Sequence, residues 1–249
     1  MPETAIIIRT KNEQKYLGAV LEVLSSQTYK DFEIIIIDSG STDRTLEIAK
    51  KYPAKVFTIP PQNFSYPYAL NYGIEQSSAA KYIVIISAHS VPISNTWLAD
   101  GLENFYQYEK IMGIYGFLKP LPDASWRTWL VMEGINFWRR LITGFKERRF
   151  LVDGAGMGVM GFTNAIILKE LWNEKHFNEE YGLGGEDGEW ADYWFRQGYK
   201  AVKDERFTVR HSHDLGLWGW YKQRQYWRSL GRPQPFRPLP FRKEKIHKN

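Results

Sequence analysis

Apolar and polar positions along the first ninety residues fall into blocks that read alternately as strand and helix. Ala5-Ile6-Ile7-Ile8-Arg9 is a short apolar run, predicted as a buried strand. Leu17, Val20, Leu21 and Leu24 follow at i, i+3, i+4 and i+7, the spacing of one helix face. Ile34-Ile35-Ile36-Ile37 is an unbroken β-branched run, as expected of a strand covered on both faces in a parallel sheet. A short helix is predicted over 43–51, with Ser41 or Thr42 as cap and Asp43 near its positive end. A strand over 55–59, a helix over 68–77 and a buried strand over 82–86 complete the alternation. Such an order predicts a parallel sheet with right-handed crossovers.

Beyond Pro92 the pattern loosens. Helices are predicted over 97–108, 165–172 and 188–197, and strands over 114–117 and 200–209. Residues 125–145 are aromatic and basic, and 150–161 are glycine-rich. The spacing over 217–230 predicts an aromatic helix, after which Pro233, Pro235, Pro238 and Pro240 enforce an extended tail. The composition shift divides one domain, 1–215, into a nucleotide-binding half to residue 92 and an acceptor half over 93–215, followed by a separate tail over 216–249.

Composition narrows the chemistry. The chain of 249 residues has no cysteine, which excludes disulfides, thiolate metal sites and a cysteine nucleophile. Aromatic residues make up 16%, a surplus that suits a sugar cleft because aromatic faces stack on pyranose rings. Net charge is +5, concentrated in Arg224, Arg228, Arg232, Arg237, Arg242, Lys243, Lys245 and Lys248, against Glu244 alone. That tail suits an anionic membrane surface or a partner, or is a solvated end. The amino end shows no charged and apolar leader, and no apolar run approaches a membrane span, so a cytoplasmic protein is expected, with the inner face of the membrane as its other location. Nucleic acid is not an expected partner.

Three places carry candidate chemistry. Asp38 ends the second strand, and open α/β sheets bind ligands at the carboxyl ends of their strands. An anion there cannot hold phosphate directly and suits a base or ribose. Arg9-Thr10-Lys11-Asn12-Glu13 forms the turn after the first strand, where the next helix presents free N–H groups. Gly182-Leu183-Gly184-Gly185-Glu186-Asp187 brings paired acids to the start of a helix through a glycine-rich approach. Adjacent carboxylates raise each other's proton affinity, which helps a base work near neutral pH.

Strand-Arg-Thr-Lys-Asn-Glu, helix, strand-Asp-Ser-Gly-Ser-Thr-Asp-Arg-Thr resembles the family 2 glycosyltransferases of the GT-A fold, a Rossmann-like, mostly parallel sheet flanked by helices. The resemblance runs on through the strand at 82–86 to the acidic motif at 186 and weakens after about residue 215. It implies an inverting transfer of sugar from a nucleoside-diphosphate sugar to a saccharide or lipid-linked saccharide acceptor, in bacterial surface-polysaccharide or glycoconjugate synthesis. It places Thr10, Glu13 and Asp38 on the nucleotide, joined there by Arg9, Asn12, Ser39, Asn71, Ser87 and Ala88. It makes Asp187 the base, with Glu186 orienting it or the acceptor, and puts Gly161, Asn164 and Trp190 on the acceptor side.

Where the family usually has Asp-x-Asp on a divalent cation, this chain has Ser87-Ala88-His89. Either His89 replaces the second aspartate as a ligand, joined by His211 or His213, or the site is metal-poor and a basic side chain supports the leaving group. Imidazole suits Mn²⁺ better than Mg²⁺, so Mn²⁺ is the favoured ion and Mg²⁺ the second choice. The missing aspartates also admit a non-catalytic carbohydrate-binding or scaffold protein, against which the intact Glu186-Asp187 argues. Gly156-Met157-Gly158-Val159-Met160-Gly161 matches GxGxxG, but it sits mid-chain and away from a first strand, so it is read as a flexible pocket floor. Gln223-Arg224-Gln225-Tyr226-Trp227 only partly resembles the Gln-x-x-Arg-Trp of processive family members.

Overall fold

The computed structural model describes residues 1–143, 148–156 and 158–213, with Gly219, Tyr221, Lys222, Gln225 and Tyr226 beyond them. Met157 and the greater part of the 216–249 tail, with most of its expected aromatic helix, lie outside the described residues.

Strands β1 (Thr4–Thr10), β2 (Phe32–Asp38), β3 (Ala54–Thr58) and β4 (Tyr82–Ser87) pair in parallel in the order β3-β2-β1-β4. Their register sets Thr10 beside Asp38, and Arg9 beside both Ile37 and Ser87, so the carboxyl ends finish almost flush. Alternation along β1 explains the apolar run. Ile6 and Ile8 face one core with Leu17, Val20, Leu21 and Leu24 of α1 (Leu17–Ser25), while Ala5 and Ile7 face another with Leu70 and Ile74 of α3 (Tyr66–Glu75). The helix expected at 43–51 is shorter, α2 (Thr45–Ala49), with Asp43 accepting the Thr45 N–H at 3.0 Å.

The same sheet continues through the second half of the chain as β4-β8-β6-β9-β5, with β7 on β9. Here β5 is Val91–Pro92, β6 Ile111–Lys119, β7 Arg149–Val152, β8 Asn164–Leu168 and β9 Lys200–Arg210. Pairs β6/β9 are parallel, whereas β8 runs antiparallel to both β4 and β6, as β5 and β7 do to β9. The helix expected over 165–172 is therefore corrected. Asn164–Leu168 is a central strand, and only α6 (Lys169–Glu174) is helical. A four-residue apolar run looks alike in either state, and its strand neighbours lie far away in sequence. The helices α4 (Trp97–Gln107), α5 (Trp126–Thr143) and α7 (Glu186–Arg196) complete the fold, and α5 leaves Trp126, Leu130, Phe137, Trp138 and Leu141 exposed. No helix among the described residues is long and apolar enough to cross a membrane.

Gly116 marks the tightest strand contact. A β-carbon there would lie 1.5 Å from the Phe207 carbonyl oxygen and 2.2 Å from Asn164 Nδ2, at the bulge where β6 shifts register on β9. Gly116→Ala is expected to cost about 3 kcal/mol, the upper part of the overpacking range, because backbone must move. Denaturant unfolding checks this, and a midpoint equal to the parent's would refute it.

Candidate functional site

Turns at the carboxyl ends of β1, β2, β4 and β9 gather at one edge of the sheet, and Arg9 at the end of β1 reaches Glu186 at the amino end of α7. The turn after β1 holds them together. Asn12 takes a left-handed backbone, φ 55°, which asparagine tolerates better than most residues. Its Oδ1 accepts the Thr42 N–H at 2.8 Å, and its own N–H donates to Ser41 Oγ at 2.9 Å. Glu13 N–H donates to Thr45 Oγ1 at 2.7 Å. The first two turns are thereby stitched into one rim.

Asp38 has a different place from the one its strand end suggested. It is fully buried, and its Oδ2 accepts the N–H groups of Gly40 and Ser41 at 2.9 and 3.0 Å, with the Ser41 hydroxyl on Oδ1. A turn of small residues leaves backbone donors that a side-chain acceptor must satisfy, and Asp38 does so for its own loop. Gly40 is required here. Its φ is 88°, and a β-carbon would stand 2.5 Å from Pro61 Cγ. Ser39 donates its N–H to the Thr10 carbonyl at 3.0 Å, and Thr10 Oγ1 is a buried hydroxyl with no partner.

The turn after β4 carries His89. Ser87 stands half-buried at the strand end, while Ala88 is packed into the apolar core, so only its backbone is available to a ligand. Pairing of Val91 with Arg210 brings the segment after β9 alongside. His211 and His213, two apart on an extended segment, both turn to His89, with ring centroids 4.5 and 5.3 Å from it and 4.9 Å from each other. One nitrogen from each ring lies within 4.8 Å of the others. Glu13 Oε1 is 2.8 Å from His89 Nδ1, and Ser90 Oγ is 3.0 Å from His211 Nδ1. Burial pushes His211 well below the usual imidazole range and lowers His213, with the neighbouring His89 adding to both, so these rings stay neutral as ligands must. His89 Nε2 is buried without a partner, which fits a cation on that nitrogen. The residues therefore suit a divalent metal ion.

The acid pair opens α7. Gly182, Gly184 and Gly185 have φ of 45°, 133° and 101°, so the approach needs glycine. Glu186 is buried, 3.4 Å from Arg9 Nη1, and Arg9 lies 4.5 Å over the Tyr66 ring. Burial, then the charge of Asp187, pushes Glu186 up to about 7 against the pull of Arg9. Burial also raises Asp187, opposed first by the Gly188 N–H at 2.7 Å. A β-carbon on Gly161 would stand 4.0 Å from Asp187 Oδ2, an ordinary van der Waals contact, so this glycine lies beside the carboxylate.

Three residues expected at the ligands have structural partners of their own. Asn71 donates to the Phe177 carbonyl and Glu179 and accepts from Trp172 Nε1 and the Phe177 N–H, so its amide is committed to the loop before α7 and not to a nucleotide. Trp190 is fully buried against Phe162, Phe177 and Trp194 and donates to the Lys175 carbonyl, which removes it from the acceptor face. Asn164 is buried and its Nδ2 donates to the Phe207 carbonyl at 2.6 Å, tying β8 to β9 across β6, while its Oδ1 has no partner. Residues 158–161 form an irregular turn, with φ of 78° at Gly158 and 57° at Met160, and open no helix. Sequence reasoning missed the Glu13–His89 and Ser90–His211 pairs and the Tyr66 platform. Of these only Glu13, a carboxylate in the first turn, gave any signal.

The family model for glycosyl transferase family 2 matches residues 5–174. The chain is 28% identical to the dolichyl N-acetyl-alpha-D-glucosaminyl phosphate 3-beta-D-2,3-diacetamido-2,3-dideoxy-beta-D-glucuronosyltransferase of Methanococcus voltae, over 79% of this chain and 62% of that protein. It is 23% identical to the O-antigen chain rhamnosyltransferase WbaN of Salmonella anatum, over 86% of this chain and 67% of the relative. In fold it is similar to the mannosyltransferase PcManGT of Pyrobaculum calidifontis, solved with GDP-Man and Mn²⁺. That likeness has a TM-score of 0.65 and 17% identity, and covers 90% of this chain and 60% of that one. The chain thus spans about three fifths of the length of the Methanococcus relative and of the mannosyltransferase. The match over the parallel strands, the Asp38 turn and β8 makes this chain a member of glycosyl transferase family 2, with the GT-A fold.

Proposed function

We propose that the protein transfers a sugar, with inversion, from a nucleoside-diphosphate sugar to a hydroxyl of a saccharide or lipid-linked saccharide acceptor. The observation that carries this reading is the acid pair at the start of α7, where burial raises Asp187 and Arg9 from the end of β1 holds Glu186. Asp187 takes the proton of the acceptor hydroxyl as its oxygen attacks the anomeric carbon. The bond from that carbon to the diphosphate breaks, and the electron pair leaves with the nucleoside diphosphate. Attack opposite the leaving group inverts the centre. Arg9 holds Glu186, and Glu186 sets the field in which Asp187 works. The rim of Arg9, Thr10, Ser39 and Ser87, over the turn that Asp38 closes, is assigned to the nucleotide. A divalent cation on His89, His211 and His213 would neutralise charge on the departing diphosphate. Mn²⁺ accompanies the sugar nucleotide in the mannosyltransferase named above, which makes it the reference ion here. Relatives named for O-antigen and dolichyl-linked sugars support an acceptor of surface-polysaccharide or glycoconjugate type.

The test is the anomeric configuration of the product. NMR coupling constants of the transferred sugar, followed from the first turnover, are expected to show the configuration opposite to the donor's. Retention, or transfer of a nucleotidyl group with release of pyrophosphate, would refute the reading.

A further inference from the structure

We propose that the outer face of α5, with the basic cavity at its side, docks on an anionic lipid bilayer. The surface stands on its own chemistry, and only its service to a lipid-linked acceptor rests on the transfer reading.

Trp126, Leu130, Phe137 and Leu141 recur at i, i+4, i+11 and i+15, which sets them on one side of α5. They are 48–69% exposed, and Trp138 beside them is 66% exposed, while Thr128 on the other side is buried. Single exposed apolar residues are ordinary, but a run of large ones along one helix marks a contact surface. The patch continues past the helix. Phe137 shares a cavity with Phe117, whose ring centroid lies 6.5 Å from that of Phe150. Phe150 and Leu151 stand exposed on β7, which hangs from β9 at the end of the sheet opposite β3.

The cations choose the partner. Residues 126–151 hold six basic side chains against two acidic ones. Arg127 is exposed beside the apolar face, its guanidinium 5.4 Å from the centre of the Trp126 ring. From there it can reach headgroups while its stem stays among apolar groups. The cavity, of about 290 Å³, is lined by Lys119, Arg140 and Arg148 against Glu133 and Glu205. Glu205 is shared by Arg140 and Arg148, so the balance is positive. Arg148 is 6% exposed, and its Nε is buried without a partner, a donor left over for a phosphate oxygen.

Tryptophan, phenylalanine and leucine on one helix face, with arginine at its border, suit a helix lying in the plane of a membrane. A second copy of the chain fits less well, because a twofold contact sets the patch against itself and cation against cation. The basic residues at 224–248 add attraction for anionic lipid but belong to another segment. α5 starts a few residues after Leu121, whose N–H donates at 3.1 Å to Ser212 between the late histidines. Docking on α5 therefore brings the candidate site close to the bilayer.

The chain has no cysteine, so Leu130→Cys carries a single polarity-sensitive dye in the full chain. Vesicles of equal phosphatidylcholine and phosphatidylglycerol are expected to blue-shift and brighten it, and phosphatidylcholine alone to do so far less. The same dye at Glu47→Cys, in α2 on the crossover from β2 to β3, should not respond. Leu130→Ser, Phe137→Ser and Trp138→Ser combined should lower partition, read by co-sedimentation, about 100-fold, as expected when large apolar groups are withdrawn from contact. Arg127→Gln should lower it about fivefold on the anionic vesicles. Neutralising the tail with Arg237→Gln, Arg242→Gln, Lys243→Gln and Lys245→Gln should leave the dye response at position 130 in place. Unaltered far-ultraviolet circular dichroism secures each comparison. A dye that does not respond at position 130, partition that survives the triple change, or a response that vanishes with the tail variant would overturn the proposal. So would a dimer, read by light scattering, that the triple change splits while vesicles stay unbound. Docking as expected in a chain that transfers no sugar would leave the surface standing and remove the transfer reading.

Discussion

Asp187→Asn is expected to lower kcat about 10³-fold, within the range that a positioned general base supplies. Asparagine keeps the size of the side chain and an oxygen for the Gly188 N–H, now at 2.7 Å, but cannot take a proton. Binding of a nucleoside diphosphate, read from the thermal shift it produces, should stay within about twofold of the parent, because stabilisation follows affinity by mass action. The pH profile gives an independent check. Burial raises Asp187, so the basic form is lost as pH falls through a value above the ordinary one for an aspartate, and the parent's rate falls with it. The residual rate of Asp187→Asn should lack that limb. A variant that retains the parent's kcat would move the base elsewhere. One that loses nucleotide binding along with rate would make Asp187 a binding residue instead.

The parts of the fold legible in sequence were those whose signal is local. Ile6–Ile8, Ile34–Ile37 and Ile83–Ile86 are β-branched runs because each strand is covered on both faces, and their short connections dictate parallel crossovers. Asn164–Leu168 was misread because what makes it a strand is the slot between β4 and β6, and no breaker separates it from α6. The candidate site divides in the same way. Glu186 and Asp187 were legible because glycines bracket them, and the histidines because imidazoles at strand ends have few structural uses. Their supporting partners were not, since Glu13 and His89 are 76 residues apart and Ser90 and His211 are 121 apart. Residue type also says nothing of direction. Asn71 and Trp190 have the chemistry of ligand contacts, yet they point into the loop and core that hold α7 in place.

Glu186→Gln is expected to stabilise the fold relative to the parent as pH rises, by about 2–3 kcal/mol between pH 5 and pH 8. Burial and the charge of Asp187 hold Glu186 near 7 in the folded chain, against 4.5 as its ordinary value. A carboxyl raised on folding keeps its proton longer in the native state, so its contribution is complete below the unfolded value and is lost as pH climbs through the folded one. Once both states are ionised, the cost of holding that charge in the cleft is about 3 kcal/mol. Glutamine fills the same space and never ionises, so the variant escapes this cost while Arg9 keeps its place over Tyr66. Denaturant unfolding at the two pH values measures the difference directly, and constant effects of the substitution on packing cancel between them. The same change removes a like charge beside Asp187, so the acidic limb of activity should move to lower pH. A stability difference that is flat from pH 5 to pH 8 would mean that Glu186 is already ionised and fully paired with Arg9, and Asp187 would then work beside a fixed negative charge.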